Sequence, residues 1–173
     1  MTRRCLMFAA LLIPAFGSGA SRPDTPISVC ELARDLPAWR NQTVTVKGVN
    51  YYGLRQDDCP QKCVAGNLPS FIELEGGSHE DILTLAAAET ATESAAEATG
   101  KRFEIWVTVR GRLLTKAKRS PRGPCDRAGW GLPAYGHLGV FPAELIIEKV
   151  LKIDVVENPK SPYDYAHMYH GAL

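Results

Sequence analysis

The stretch WVTVRGR, residues 106–112, repeats almost letter for letter an earlier one, TVTVKGV at residues 43–49. Around the later copy, Phe103, Ile105, Val107, Val109 and Leu113 point one way, while Arg102, Glu104, Trp106, Thr108, Arg110 and Arg112 point the other. That period of two predicts a half-buried strand. The earlier copy sets Val44, Val46, Gly48 and Tyr52 against Thr43, Thr45 and Lys47 in the same way. Nothing around the two copies matches, so they are not halves of a duplicated unit. Each ends in glycine, which weakens a strand and so marks a bend, a bulge or a close approach of backbone. Small closed barrels need such bends where a strand crosses from one side to the other. The two copies are therefore expected as neighbours coiling around one barrel.

The flanking segments fit that scheme. ISVCELARDLPAW (27–39) predicts a short amphipathic helix with Ser28 as cap, Glu31 three residues on, and Pro37 as its stop. GLRQDDCPQKCVAGNLP (53–69) is turn-rich with room for one short strand, and SFIELE (70–75) alternates with Ile72 and Leu74 on one face. From Ser78 to Thr99 the period becomes helical, with Ser78 as cap and Gly100 as stop. Glu89, Glu93 and Glu97 line it at four-residue spacing, a pattern expected of a solvated face. ELIIEKVLKIDVV (144–156) is the last strand, aligning Leu145, Ile147, Leu151, Ile153 and Val155. The order strand, strands, helix, strand, strand predicts a mainly β chain. Its expected form is an OB-like five-stranded Greek-key barrel with a helix between the third and fourth strands.

The first residues carry a secretory pattern: Arg3 and Arg4, an apolar run from Cys5 to Phe16, then small residues with Ser18 and Ala20 at the −3 and −1 positions. The run is shorter than the ~20 residues a spanning helix needs, so cleavage after Ala20, export to the periplasm or beyond, and no remaining membrane span are expected. The expected divisions are a signal peptide over 1–20, a barrel domain over 21–157 and a C-terminal tail over 158–173. A chain starting at Ser21 loses two of the 20 basic residues and none of the 19 acidic ones, for a formal charge of −1. That balance argues against a general nucleic-acid binder. Four cysteines remain, Cys30, Cys59, Cys63 and Cys125, and an even number in an exported chain reads first as disulfides, with three connectivities open.

Read in order, SVCELARDLPAW, TVTVKG, DDCP, SFIELE, WVTVRG and GHLGVFPAELIIEKV resemble a group of small exported bacterial proteins of unknown function with OB-like domains, over roughly residues 27–156. The resemblance implies a fold and an exported location, and no activity. Cys63 and Cys125 look like additions to that pattern, which favours Cys30–Cys59 and Cys63–Cys125 pairs, with Cys59–Cys63 as the main rival.

Several side-chain groups are candidates for chemistry. Trp106 stands between Arg102 and Arg110 at offsets of four and four residues, an indole that could stack a sugar or base while the guanidinium groups hold an anion. The competing expectation packs Trp106 under the helix or a loop, with the arginines satisfied by Glu104 and Glu73. The long loop from Lys116 to Pro142 is basic, and its GWGLPAYGHLG stretch brings Trp130, Tyr135 and His137 toward the same groove. Cys59, Cys63, Cys125, His79 and His137 include zinc-ligand types, yet CPQKC lacks a second paired motif, so no metal or other cofactor is expected. His167 and His170 lack a carboxylate-rich partner. Ser70, Ser78, His79, Glu73 and Glu75 lie close in sequence without a nucleophile elbow, and a nuclease drawn from Glu73, Glu75, Arg102 and Arg110 lacks a supporting motif. The expected function is a non-catalytic binding or interaction module of the cell envelope. Its partner would be an anionic small molecule, a glycan or a protein. A small hydrolase or nuclease acting on an anionic polymer is the alternative.

Overall fold

The computed structural model describes residues 25–56, 70–116, 135 and 142–167. Among the described residues six strands carry the fold: β1 (Ile27–Ser28), β2 (Thr43–Asn50), β3 (Leu54–Gln56), β4 (Ser70–Gly76), β5 (Phe103–Thr115) and β6 (Ala143–Glu157). Two α-helices join them, α1 (Val29–Arg34) and α2 (His79–Thr99), with 3-10 turns at Leu36–Trp39 and Tyr165–His167. The protein is mainly β, a single mixed sheet whose hydrogen bonding returns to its start. β2 pairs antiparallel with β3 and β5, β3 with β4, and β5 with β6, while β4 and β6 run parallel. The sixth strand, β1, adds in parallel to β2. Among the described residues no helix is long and apolar enough to cross a membrane.

The doubled phrase now has its reason. Its two copies are antiparallel partners, with Val46 opposite Val109, Gly48 opposite Val107 and Gly111 opposite Val44. A Cβ on Gly48 would stand 2.6 Å from Val29 Cγ2 and 3.1 Å from the Arg55 carbonyl oxygen, so the missing side chain admits the first residue of α1. One on Gly111 would drive into the Ile146 carbonyl of β6. Each glycine is a point of close approach, where no larger residue fits without moving a neighbour.

α1 starts as expected. The Ser28 hydroxyl accepts from Glu31 N–H at 3.1 Å, and the Glu31 carboxylate accepts from Ser28 N–H at 2.8 Å, closing a capping box. That hydrogen bond from the Ser28 amide, more than any other interaction, holds the Glu31 carboxyl below its ordinary value. Pro37 lies inside the following 3-10 turn. Val29, Leu32 and Leu36 enter one core with Val44, Val46, Leu54, Ile72, Leu85, Ile105, Val107, Val109, Leu113, Leu145 and Ile147.

β6 departs from simple alternation. Thr108 pairs with Lys152 but Val109 with Val150, and Arg110 pairs with Lys149 but Gly111 with Ile147. Leu151 and Glu148 are therefore extra residues, and Leu151, expected in the core, is 53% exposed. A bulge adds one residue and reverses the facing of the strand beyond it. The Val150 amide beside this shift donates to Asp81 Oδ1 at 3.0 Å. Asp81, in the first turn of α2, also accepts from the Ser78 hydroxyl at 2.6 Å, so the helix start is docked on the bulge.

The segment expected as a tail is packed through its first part. Ser161, Tyr163 and Tyr165 are buried, and Tyr51 meets the rings of Tyr163 and Tyr165 at centroid distances of 5.0 and 5.3 Å. Aromatic side chains without helical or strand period still bury a large area, which is why periodicity missed them.

Candidate functional site

The β2–β5–β6 register sets the outer face of the sheet row by row. Thr43, Arg112 and Ile146 form one row, Thr45, Arg110 and Lys149 the next, then Lys47, Thr108 and Lys152, then Val49, Trp106 and Asp154, with Thr45, Thr108 and Val49 buried within these rows. Five cations thus share one face with the half-buried indole of Trp106. Directly opposed residues on neighbouring strands lie ~4.5–5.5 Å apart at Cβ. Alternate residues along one strand are ~6.6 Å apart. The partners of each side chain therefore come mostly from across the sheet.

This decides the surroundings of Trp106. Lys47 Nζ stands 5.4 Å from the centre of the ring, on β2. The indole Nε1–H donates to Glu104 Oε2 at 2.9 Å. Among the described residues, neither of the two candidate guanidinium groups is placed against the ring. Arg102 donates from its Nη1 to the Ser161 carbonyl at 2.7 Å, and Arg110 pairs with Glu148 at 3.5 Å. Glu148 also accepts from the Thr43 hydroxyl at 3.0 Å. Glu104 divides its oxygens between Trp106 and the Asn158 side-chain amide, which donates at 2.8 Å. Lys152 pairs with Asp154 at 2.8 Å and Lys149 with Asp81 at 3.6 Å, while Arg112 makes no ion pair among the described residues.

Tyr135 is the described residue of the long loop's candidates, and its ring lies 5.7 Å from Lys116 Nζ. Burial, reinforced by Glu144, pushes its phenol up. Trp130 and His137 lie outside the described residues. Cys30 lies in the first turn of α1. Cys59, Cys63 and Cys125 lie outside the described residues, as does His170.

The hydrolase candidates separate. Ser78 is spent as the α2 cap, and His79 is the exposed first residue of that helix. Glu73 stands opposite Glu144 on the parallel pair β4–β6, two residues from Glu75. Burial, reinforced by Glu75, holds the Glu144 carboxyl above its ordinary value. Among the described residues no group of three or more His, Cys, Asp or Glu side chains is placed to hold a metal ion.

Lys47, Lys149 and Lys152 were not singled out by the sequence, although the echo between the two strands was the signal that could have placed Lys47. Pairing the copies in antiparallel register puts it one row from Trp106. Lys149 and Lys152 needed the bulges, which alternation does not reveal. Compared with known proteins, the chain matches no family model, no curated protein and no solved structure.

Proposed function

We propose that the protein is an exported, non-catalytic binding module that takes an anionic ligand on the outer face of β2, β5 and β6. The observation that carries this is the register, which places Lys47, Arg110, Arg112, Lys149 and Lys152 on one face, with Lys47 over the Trp106 indole at its end. Three of these cations already rest on carboxylates, at 3.5, 3.6 and 2.8 Å. The two exposed pairs, Arg110 with Glu148 and Lys152 with Asp154, contribute ~0–1 kcal/mol each, so a ligand sulfate, phosphate or carboxylate displaces them at small cost, whereas Lys149 rests on the buried Asp81. Residues two apart on β5 repeat every ~6.6 Å, a spacing that suits the recurring charges of a polymer. The N-terminal secretory pattern and the even number of cysteines after it support export.

The ring is read as an OB-like Greek-key barrel. Supporting this, β2 pairs with both β3 and β5, β4 runs parallel to β6, and α2 joins the third ring strand to the fourth. OB barrels commonly bind on the face of their second and third strands. The face proposed here belongs to the first, fourth and fifth ring strands, so it is argued from this chain's own side chains.

A titration with a sulfated hexasaccharide and its desulfated counterpart tests the proposal. The sulfated form should bind, more weakly as ionic strength rises, and Lys47→Ala with Arg112→Ala should weaken it about tenfold or more. Affinity indifferent to salt and to both substitutions would remove this face from consideration. One observation favours the hydrolase alternative: a raised Glu144 beside Glu75 is how a general acid is poised. Shortening of the polymer by the wild type but not by Glu144→Gln would select it.

A further inference from the structure

Residues 158–167 are tied to the start of β5 position by position. Asn158 N–H donates to the Arg102 carbonyl at 2.9 Å, and the Arg102 guanidinium donates back to the Ser161 carbonyl at 2.7 Å. The Asn158 side-chain amide donates to Glu104 Oε1 at 2.8 Å. Ile105 N–H donates to the Tyr165 hydroxyl at 3.4 Å, and that hydroxyl donates to the Asn50 carbonyl at 2.5 Å. The next residue is Trp106, held by the other oxygen of Glu104 at 2.9 Å.

Two of these contacts have more than a packing role. The β2–β5 ladder runs from Thr43 with Arg112 to Val49 with Trp106, and its next rung would join Asn50 to Ile105. The Tyr165 hydroxyl stands in that rung, serving the same amide and the same carbonyl that a direct bond would serve. With the phenol inserted the rung is satisfied; were the segment to undock, the strands could satisfy the same amide and carbonyl by closing on each other. Such discrete alternatives are what conformational coupling needs. Glu104 is the second contact. It is 9% exposed, and one carboxylate holds the segment on one oxygen and the indole on the other. A buried carboxylate oxygen that loses its donor pays a desolvation cost, so it turns toward another donor or toward water. Either movement would alter the hydrogen bond that holds the Trp106 indole.

We propose that residues 158–167 form a latch on the Trp106 face, coupled through Glu104 and the Asn50–Ile105 rung, so that latch docking and ligand binding support each other. The inference rests on the reading of that face as the ligand-binding one. Coupling of this kind is reciprocal. The ligand should tighten the latch by the factor by which the latch tightens the ligand.

The test uses the full chain, with Asn158→Ala and Tyr165→Phe, which leave the core rings in place. Amide exchange over 158–167, the Trp106 indole N–H resonance (assigned by its loss in Trp106→Phe) and sulfated hexasaccharide affinity are read together. Both variants should speed exchange, shift the indole resonance and weaken binding about fivefold or more. In the wild type, saturating hexasaccharide should slow exchange over 158–167 by a similar factor, a readout that needs no variant. Faster exchange with the indole resonance unmoved overturns the latch, as does hexasaccharide binding that leaves those amides unprotected. If the wild type fails to bind the hexasaccharide, the ligand reading of the face falls alone. The indole resonance in the two variants then still decides the coupling.

Discussion

Gly48 and Gly111 end the two copies of one phrase, yet they make room for different neighbours. At Gly48 the obstacle to a side chain is Val29 Cγ2, the end of a side chain, at 2.6 Å; at Gly111 it is the Ile146 backbone carbonyl. Overpacking of this kind costs ~1–3 kcal/mol. Gly48→Ala and Gly111→Ala should both lower the denaturant midpoint, Gly111→Ala more, because backbone yields less than a valine methyl. Two carboxylates should give opposite pH slopes. Asp81 is held below its ordinary value, first by the Ser78 hydroxyl and next by the Val150 amide. Its stabilisation is present above the unfolded aspartate value of about 3.9 and is lost as pH falls through the lower folded value. Glu144 is raised, so its contribution is full below the unfolded glutamate value of about 4.3 and is lost as pH rises through the folded value. Thermal unfolding against pH checks both: Asp81→Asn should flatten the acid limb, and Glu144→Gln should raise Tm at neutral pH but not near pH ~4.

Among the elements, α1 and α2 were legible because their caps are local chemistry. Ser28 with Glu31, and Ser78 with Asp81, sit within one turn, and both caps form. β5 was legible because its alternation holds through Leu113. β6 was not, because its two extra residues are set by register against β5 and leave no mark on its composition. Leu151→Ser should therefore shift stability by no more than ~0.5 kcal/mol, as exposed substitutions do. Leu145→Ala, at a buried position on the same strand, should cost ~2–5 kcal/mol. Equal losses in denaturant melts would restore unbroken alternation and remove the bulge.

At the scale of the whole molecule, the C-terminal segment belongs to the hydrophobic core through Tyr163 and Tyr165. Tyr165→Ala should cost ~3–5 kcal/mol in equilibrium unfolding, the range for a buried aromatic. A loss below ~1 kcal/mol would return 158–167 to the status of a tail. Short-range order was written in the chain itself. Strand alternation, helix caps and the paired glycines are fixed by neighbours a few residues apart, and they sufficed for a mainly β chain with two helices in the right places. The site was not written there. The sequence put Arg102 and Arg110 beside Trp106 because four-residue offsets share a side of a strand. Folding instead sent one guanidinium to Ser161 and the other to Glu148, and brought Lys47 over the ring from 59 positions away. Which acceptor a long charged side chain reaches depends on which strands become neighbours and in what register. That is settled by closure of the whole ring.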